Sequence, residues 1–230
     1  MTTKSSRPAL VLLSGGLDSS VLLHLVARRL HDGAVHAISF NYGQRHAREL
    51  DCAVRQAVTV GVTEHRIVDA SFFAPLVQRG TALVQGGAEV PDLADVAEAD
   101  RVQPPTYVPN RNMMLLSMAA AYAEASGISD VYYGAQAQDE YGYWDCTTEF
   151  LTGLNAVLAL NRRTPVIVHA PLMHQSKEDN VGMGLDLGVD FAQTWSCYRG
   201  GESACGTCPT CVERLKAFTA AGMEDPIPYA

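Results

Sequence analysis

Apolar positions along the chain fall alternately into short runs and into helical spacing. Residues 9–13 form an unbroken apolar run that predicts a buried strand. Residues 19–30 place Val21, Leu22, Leu25, Val26 and Leu30 on one helical face, closing near Gly33. A second strand is expected over 35–40, then a helix over 44–60 with Leu50, Ala53, Val54, Ala57 and Val58 on one side. A short strand at 66–68 and a short helix at 71–77 follow. Between 80 and 109 the periodicity fades into Gly, Pro and Asp, a stretch too long for an ordinary connection and therefore expected to be a lid, a binding loop or partly disordered. Beyond it the pattern predicts a helix over 112–126, a strand over 130–135 and an aromatic, acidic loop over 136–146. A helix over 147–160, a strand over 166–170 and a helix over 176–187 complete the series. Strands and helices in such alternation predict an α/β fold, an open parallel sheet with helices on both faces.

Composition narrows the class. The chain has 230 residues, 47% of them hydrophobic and 18% charged, which excludes a disordered or collagen-like chain. No apolar run reaches the roughly 18 residues of a membrane span, and residues 1–13 lack the pattern of a signal peptide. The net charge is -8, and Lys4, Lys177 and Lys216 are the only lysines. Nucleic acid is thereby disfavoured as the principal partner, because phosphate binders carry a basic stripe. Of six cysteines, four lie from Cys197 onward. With no secretory signal they point to a reducing, cytoplasmic setting and a metal site rather than disulfides.

Candidate chemistry sits where the first strand hands over to the first helix. Leu13 leads into Ser14, Gly15, Gly16, Leu17, Asp18, Ser19 and Ser20. Glycines let backbone N–H groups approach an anion, and the N-terminus of a helix favours phosphate. Asp18 is suited to a magnesium ion bridging that phosphate. The Gly-Lys-Ser/Thr of a Walker loop is missing, and so is the third glycine of the dinucleotide fingerprint. At the other end of the chain Cys197, Cys205, Cys208 and Cys211 form C-x7-C-x2-C-x2-C, a closed set of four thiolates suited to structural zinc. A C-x2-C-x2-C run also opens the bacterial iron–sulfur pattern, whose fourth ligand lies downstream, so a cluster stays open as the rival. The division expected is a nucleotide-binding part over 1–192 and a zinc-binding region over 193–230.

The loop resembles the Ser-Gly-Gly-x-Asp-Ser pyrophosphate loop of the ATP pyrophosphatases. That resemblance implies adenylation, with pyrophosphate leaving into the loop. The segments 40–46, 108–112, 142–146 and 194–198, taken with the spaced cysteines, are similar to the 7-cyano-7-deazaguanine synthase family. The resemblance implies an ATP-dependent ligase that turns 7-carboxy-7-deazaguanine and ammonia into the nitrile through adenylated carboxylate and amide intermediates. It implies ATP with Mg2+, one structural Zn2+ on Cys197, Cys205, Cys208 and Cys211, and catalytic roles for Asp18, Arg111 and Lys177. It further implies substrate contacts from Asp139, Tyr143, Trp144 and Asp145, and it leaves a homodimer open.

Departures from the family pattern bear on the acceptor. Asn110 stands where the family writes glycine, Tyr141 where it writes serine, Trp144 where it writes proline and Thr147 where it writes arginine. An added aromatic can stack on a base, and a lost guanidinium removes an anion clamp. Two other readings therefore stand beside the first. One is a related adenylating enzyme with a different acceptor, and the other is a zinc-ribbon binding module on a degenerate nucleotide fold.

Overall fold

The computed structural model describes residues 4–45, 48–99, 103–136 and 143–230. Five parallel strands, β1 (Ala9–Leu12), β2 (Val35–Asn41), β3 (Glu64–Asp69), β4 (Asp130–Tyr132) and β5 (Ile167–His169), make one sheet in the order β3-β2-β1-β4-β5. The chain winds outward from β1 to β3 and then returns to place β4 on the other side of β1. That reversal opens a crevice at the carboxyl ends of β1 and β4, where open α/β sheets bind ligands.

Strand alternation divides the core. Ala9, Val11 and Leu13 point into one layer with α1 (Leu17–Leu25), α6 (Lys177–Asp186) and α7 (Pro209–Ala220), while Leu10 points into the other with α4 (Arg111–Ala125) and α5 (Thr148–Leu158). α2 (Arg48–Val60) lies on the first face through Ala53 and Ala57. The short α3 (Ala74–Val77) follows β3. No helix among the described residues is long and apolar enough to cross a membrane.

Several expected boundaries shift for local reasons. The helix expected over 19–30 starts two residues earlier, and its last stretch, Val26–Leu30, widens into a π turn in which His31 N–H donates to Val26 O at 2.9 Å. The strand expected over 130–135 ends at Tyr132, since Tyr133, Gly134, Ala135 and Gln136 leave the sheet to line the crevice.

The stretch from 80 to 109 differs from expectation more substantially. It has little regular structure, yet Thr81, Ala82, Leu83, Val84, Val90, Val96, Thr106, Tyr107 and Val108 are buried. Arg45 holds it by donating to Ala82 O at 2.6 Å, to Gly87 O at 2.8 Å and to Ala88 O. Its apolar residues share a core cluster with Cys52, Phe73, Trp195 and the four cysteines of the tail. Among the described residues it is packed structure, built without periodicity because its partners come from distant segments.

Candidate active site and metal centre

The crevice is a cleft of about 280 Å³ at the carboxyl ends of β1, β2 and β4. Its floor is the turn between β1 and α1. Gly15 adopts φ +86°, and a Cβ there would lie 1.9 Å from Glu49 O on α2, so only glycine fits. Ser19 Oγ accepts the N–H groups of Ser14 and Gly15, each at 3.2 Å, and lies 2.9 Å from Ser14 Oγ. Ser20 Oγ donates to Gly16 O at 2.8 Å. No side chain caps α1 at Gly16, which leaves the first-turn N–H groups to a ligand.

Two cations join this floor. Arg111 opens α4 and Lys177 opens α6, positions where the helix dipole disfavours positive charge. Both line the cleft, so the N-termini of α1, α4 and α6 converge with these two cations on one space, an arrangement suited to a polyanion. Burial opposes the Arg111 charge, but Tyr42, Tyr198 and Asp145 around it hold its pKa above the ordinary value. The guanidinium lies 6.0 Å over the Tyr42 ring. Lys177 Nζ donates to Glu213 Oε2 at 2.9 Å and lies 3.9 Å from Asp18 Oδ2. Asp18 Oδ1 accepts from Asn180 Nδ2 at 2.9 Å, so Oδ2 is the oxygen Asp18 can offer a divalent cation.

The Asn110 departure has a structural reason. Asn110 sits at φ +53°, just before α4, and asparagine is among the residues that tolerate this left-handed conformation. Thr147 in place of arginine caps α5, accepting Phe150 N–H at 3.2 Å and donating to Trp144 O at 2.8 Å.

The expected base-binding residues separate. Tyr143 lines the cleft and shares a hydrogen bond with Thr106 at 2.9 Å. Asp145 is outside the cleft lining, buried behind Arg111 and Asn112; it accepts Asn112 N–H at 3.3 Å, and burial pushes its carboxyl pKa up while Arg111 pulls it down. Trp144 is outside the cleft lining. Its ring meets Phe150 edge-on at 5.4 Å, and its Nε1 donates to Tyr107 Oη at 2.7 Å. Tyr107 in turn stacks on Tyr143, with ring centroids 6.3 Å apart. Asp139 lies outside the described residues.

The sequence did not single out Glu49, Glu213 or Asn180. Glu49 lines the cleft, and burial raises its pKa to about 7, with Arg111 lowering it and Cys197 adding to the rise. In sequence it is one polar residue on an ordinary amphipathic helix.

Cys197, Cys205, Cys208 and Cys211 bring their four Sγ atoms within 4.8 Å of one another. A single tetrahedral zinc at about 2.3 Å from each sulfur puts sulfurs about 3.8 Å apart, and Cys205 and Cys211 Sγ lie 3.9 Å apart. Backbone N–H groups of Cys205 and Cys208 donate to the Sγ of Cys197 and Cys205 at 3.4 and 3.3 Å. Hydrogen bonds from the Cys208 and Cys211 thiols hold Cys197 far below the usual thiol range, and the sharing pushes Cys208 up to about 12 and Cys211 higher still. Four sulfurs gathered this closely could hold a metal ion. The tail also walls the cleft with Trp195, Ser196, Tyr198, Pro209, Thr210, Glu213 and Arg214, and Trp195 N–H donates to Gly15 O at 3.0 Å.

A 7-cyano-7-deazaguanine synthase from Pseudoalteromonas atlantica is 42% identical over 222 residues, covering 95% of this chain and 97% of the relative. One from Marinobacter nauticus is 44% identical over 219 residues, covering 95% and 96%. Among solved structures, the U34-tRNA thiolase NcsA from Methanococcus maripaludis, with its [4Fe-4S] cluster, shares the fold at a TM-score of 0.51 and 17% identity. That match covers 85% of this chain and 63% of the thiolase. The model of the family described as queuosine biosynthesis protein QueC matches residues 8–222, and the chain belongs to that family.

Proposed function

We propose that this enzyme converts 7-carboxy-7-deazaguanine and ammonia to 7-cyano-7-deazaguanine at the expense of two ATP, releasing AMP and pyrophosphate twice. The observation that carries the reading is the convergence of the uncapped α1 N-terminus, Arg111 and Lys177 on one cleft, in a chain so similar to named synthases. In this reading the loop from Leu13 to Ser20 holds the β and γ phosphates. Arg111 and Lys177 neutralise charge that develops as the substrate carboxylate oxygen attacks the α phosphate and the bond to pyrophosphate breaks. Ammonia then attacks the acyl carbon and AMP leaves, giving the amide. The amide oxygen then attacks the α phosphate of a second ATP and pyrophosphate leaves, after which loss of both nitrogen protons with departure of AMP gives the nitrile.

Asp18 would hold Mg2+ through Oδ2, and the ion would supply positive charge that neutralises the phosphates. Tyr143 binds the base, and Asp145 acts at one remove, holding Asn112 and Arg111 at the cleft wall. Trp144 acts at one remove by fixing Tyr107 beneath Tyr143. The part over 1–192 supplies the nucleotide loop, and the region over 193–230 holds structural zinc. The sulfur spacing supports a single ion, because a cubane cluster binds each thiolate at a separate iron and spreads the sulfurs further apart. The test is mass spectrometry of purified protein with magnesium-ATP, ammonium and 7-carboxy-7-deazaguanine. A mass corresponding to the nitrile, appearing after the amide, is expected, and an unchanged acid would overturn the reading.

A further inference from the structure

Lys177 stands at the first position of α6, and its partner Glu213 comes from α7, which starts directly after Cys208. The pair is largely enclosed, with side-chain exposures of 19% and 15%. Arg214, next along α7 and 1% exposed, fixes the register of that helix. It binds Asp225 through Nε at 2.7 Å and donates to Thr194 Oγ1 at 2.7 Å and to Phe191 O at 3.2 Å. With Arg214 so anchored, Glu213 faces the cleft and its Oε2 accepts from Lys177 at 2.9 Å. Glu213 Oε1 is buried without a hydrogen-bond partner.

A residue kept only to stabilise the fold would not take this form. A buried ion pair is often matched or bettered in stability by apolar packing, and a carboxylate with one lone oxygen adds a desolvation cost. A lysine at a helix N-terminus adds a further unfavourable term. The arrangement makes sense as an orienting device, since Glu213 fixes the ammonium 3.9 Å from Asp18 Oδ2, at the edge of the phosphate loop. The geometry points to Glu213 as a positioning residue for the adenylation step, through which the cysteine-bound tail sets the place of Lys177. This inference rests on the reading of the cleft as an ATP site.

A double-substitution cycle tests it. In Glu213→Gln the ammonium is still present but no longer fixed by charge, so kcat should fall about ten- to a hundredfold. ATP affinity, measured by calorimetry without turnover, should change by less than about threefold. In a Lys177→Met background, adding Glu213→Gln should lower kcat by less than about twofold, because the residue acts through the missing lysine. A kcat that Glu213→Gln leaves unchanged would overturn the inference, and so would an effect undiminished in the Lys177→Met background. If Glu213→Gln does not fold, Glu213→Asp carries the same test, keeping the charge and withdrawing it by one methylene. Wild-type protein that releases no AMP would overturn the ATP reading and this inference together. A normal wild type with unaffected variants would overturn the inference alone.

Discussion

Gly15→Ala isolates the packing of the phosphate loop against α2. Two costs combine there. The first is conformational: at φ +86° an L residue is disfavoured by roughly 1–2 kcal/mol. The second is steric, because the added Cβ would lie 1.9 Å from Glu49 O and 2.6 Å from Ala53 N, both rigid backbone atoms. The loop must withdraw from α2 by about 1.5 Å to restore ordinary contact, which adds roughly 1–3 kcal/mol. The total, about 2–5 kcal/mol, corresponds to a fall in Tm of about 4–20 °C for a chain of this length. A loop displaced by more than 1 Å should also lose on the order of a hundredfold in kcat/KM for ATP. Gly61→Ala supplies the control, for Gly61 has φ +76° and nothing within 4 Å of its built Cβ, so it carries the conformational cost alone. Differential scanning calorimetry and ATP titration of both variants give the comparison. If Gly15→Ala matched Gly61→Ala in Tm and kept wild-type ATP affinity, the close approach of loop and helix would not govern the site.

Other expectations follow from the same geometry. Tyr143→Ala, at the cleft wall, should raise KM for the deazaguanine acid by about tenfold with little change for ATP; Trp144→Ala, acting through Tyr107, should raise it less, and steady-state kinetics on both substrates checks the order. Burial holds His24 and His65 below their ordinary pKa of 6.5. The unfolded chain therefore binds more protons just below that pH, so the stability these residues contribute is complete above about 6.5 and declines as pH falls through 6.5 toward the folded values. His65→Gln should flatten that decline in denaturant titrations at pH 5.5–7.5, and an unchanged slope would remove His65 from the account. Elemental analysis should find about one zinc per chain, and Cys208→Ser should lower both Tm and activity, because the tail walls the cleft; iron in place of zinc would refute the assignment.

Much of the fold was legible because its periodicities are local. The run at 9–13, the helical faces of 112–126 and 176–187 and the Ser-Gly-Gly turn each carry their signal within one window. The structure adds the reason α6 starts where it does, a capping box between Ser176 and Asp179. The packing of 80–109 was not legible, since Leu83, Val84 and Val90 find their partners around Trp195 and the four cysteines, more than a hundred residues away. Within the site, the loop and the cysteines were readable from spacing. Arg111 and Lys177 entered through resemblance, at expected helix starts where charge is usually solvated, and the structure shows instead that both line the cleft. Glu213 and Glu49 had no sequence signal, because an acidic residue on a helix usually faces solvent, and only the closure of the cleft shows that these two do not.

The central claim is that both oxygens of the substrate carboxylate leave on adenylate. The acid labelled with 18O at both carboxylate positions, turned over with magnesium-ATP and ammonium, tests it most directly. The account predicts two AMP molecules per nitrile, each carrying one labelled phosphate oxygen, with none in pyrophosphate. Label appearing in inorganic phosphate, or ADP in place of AMP, would contradict it.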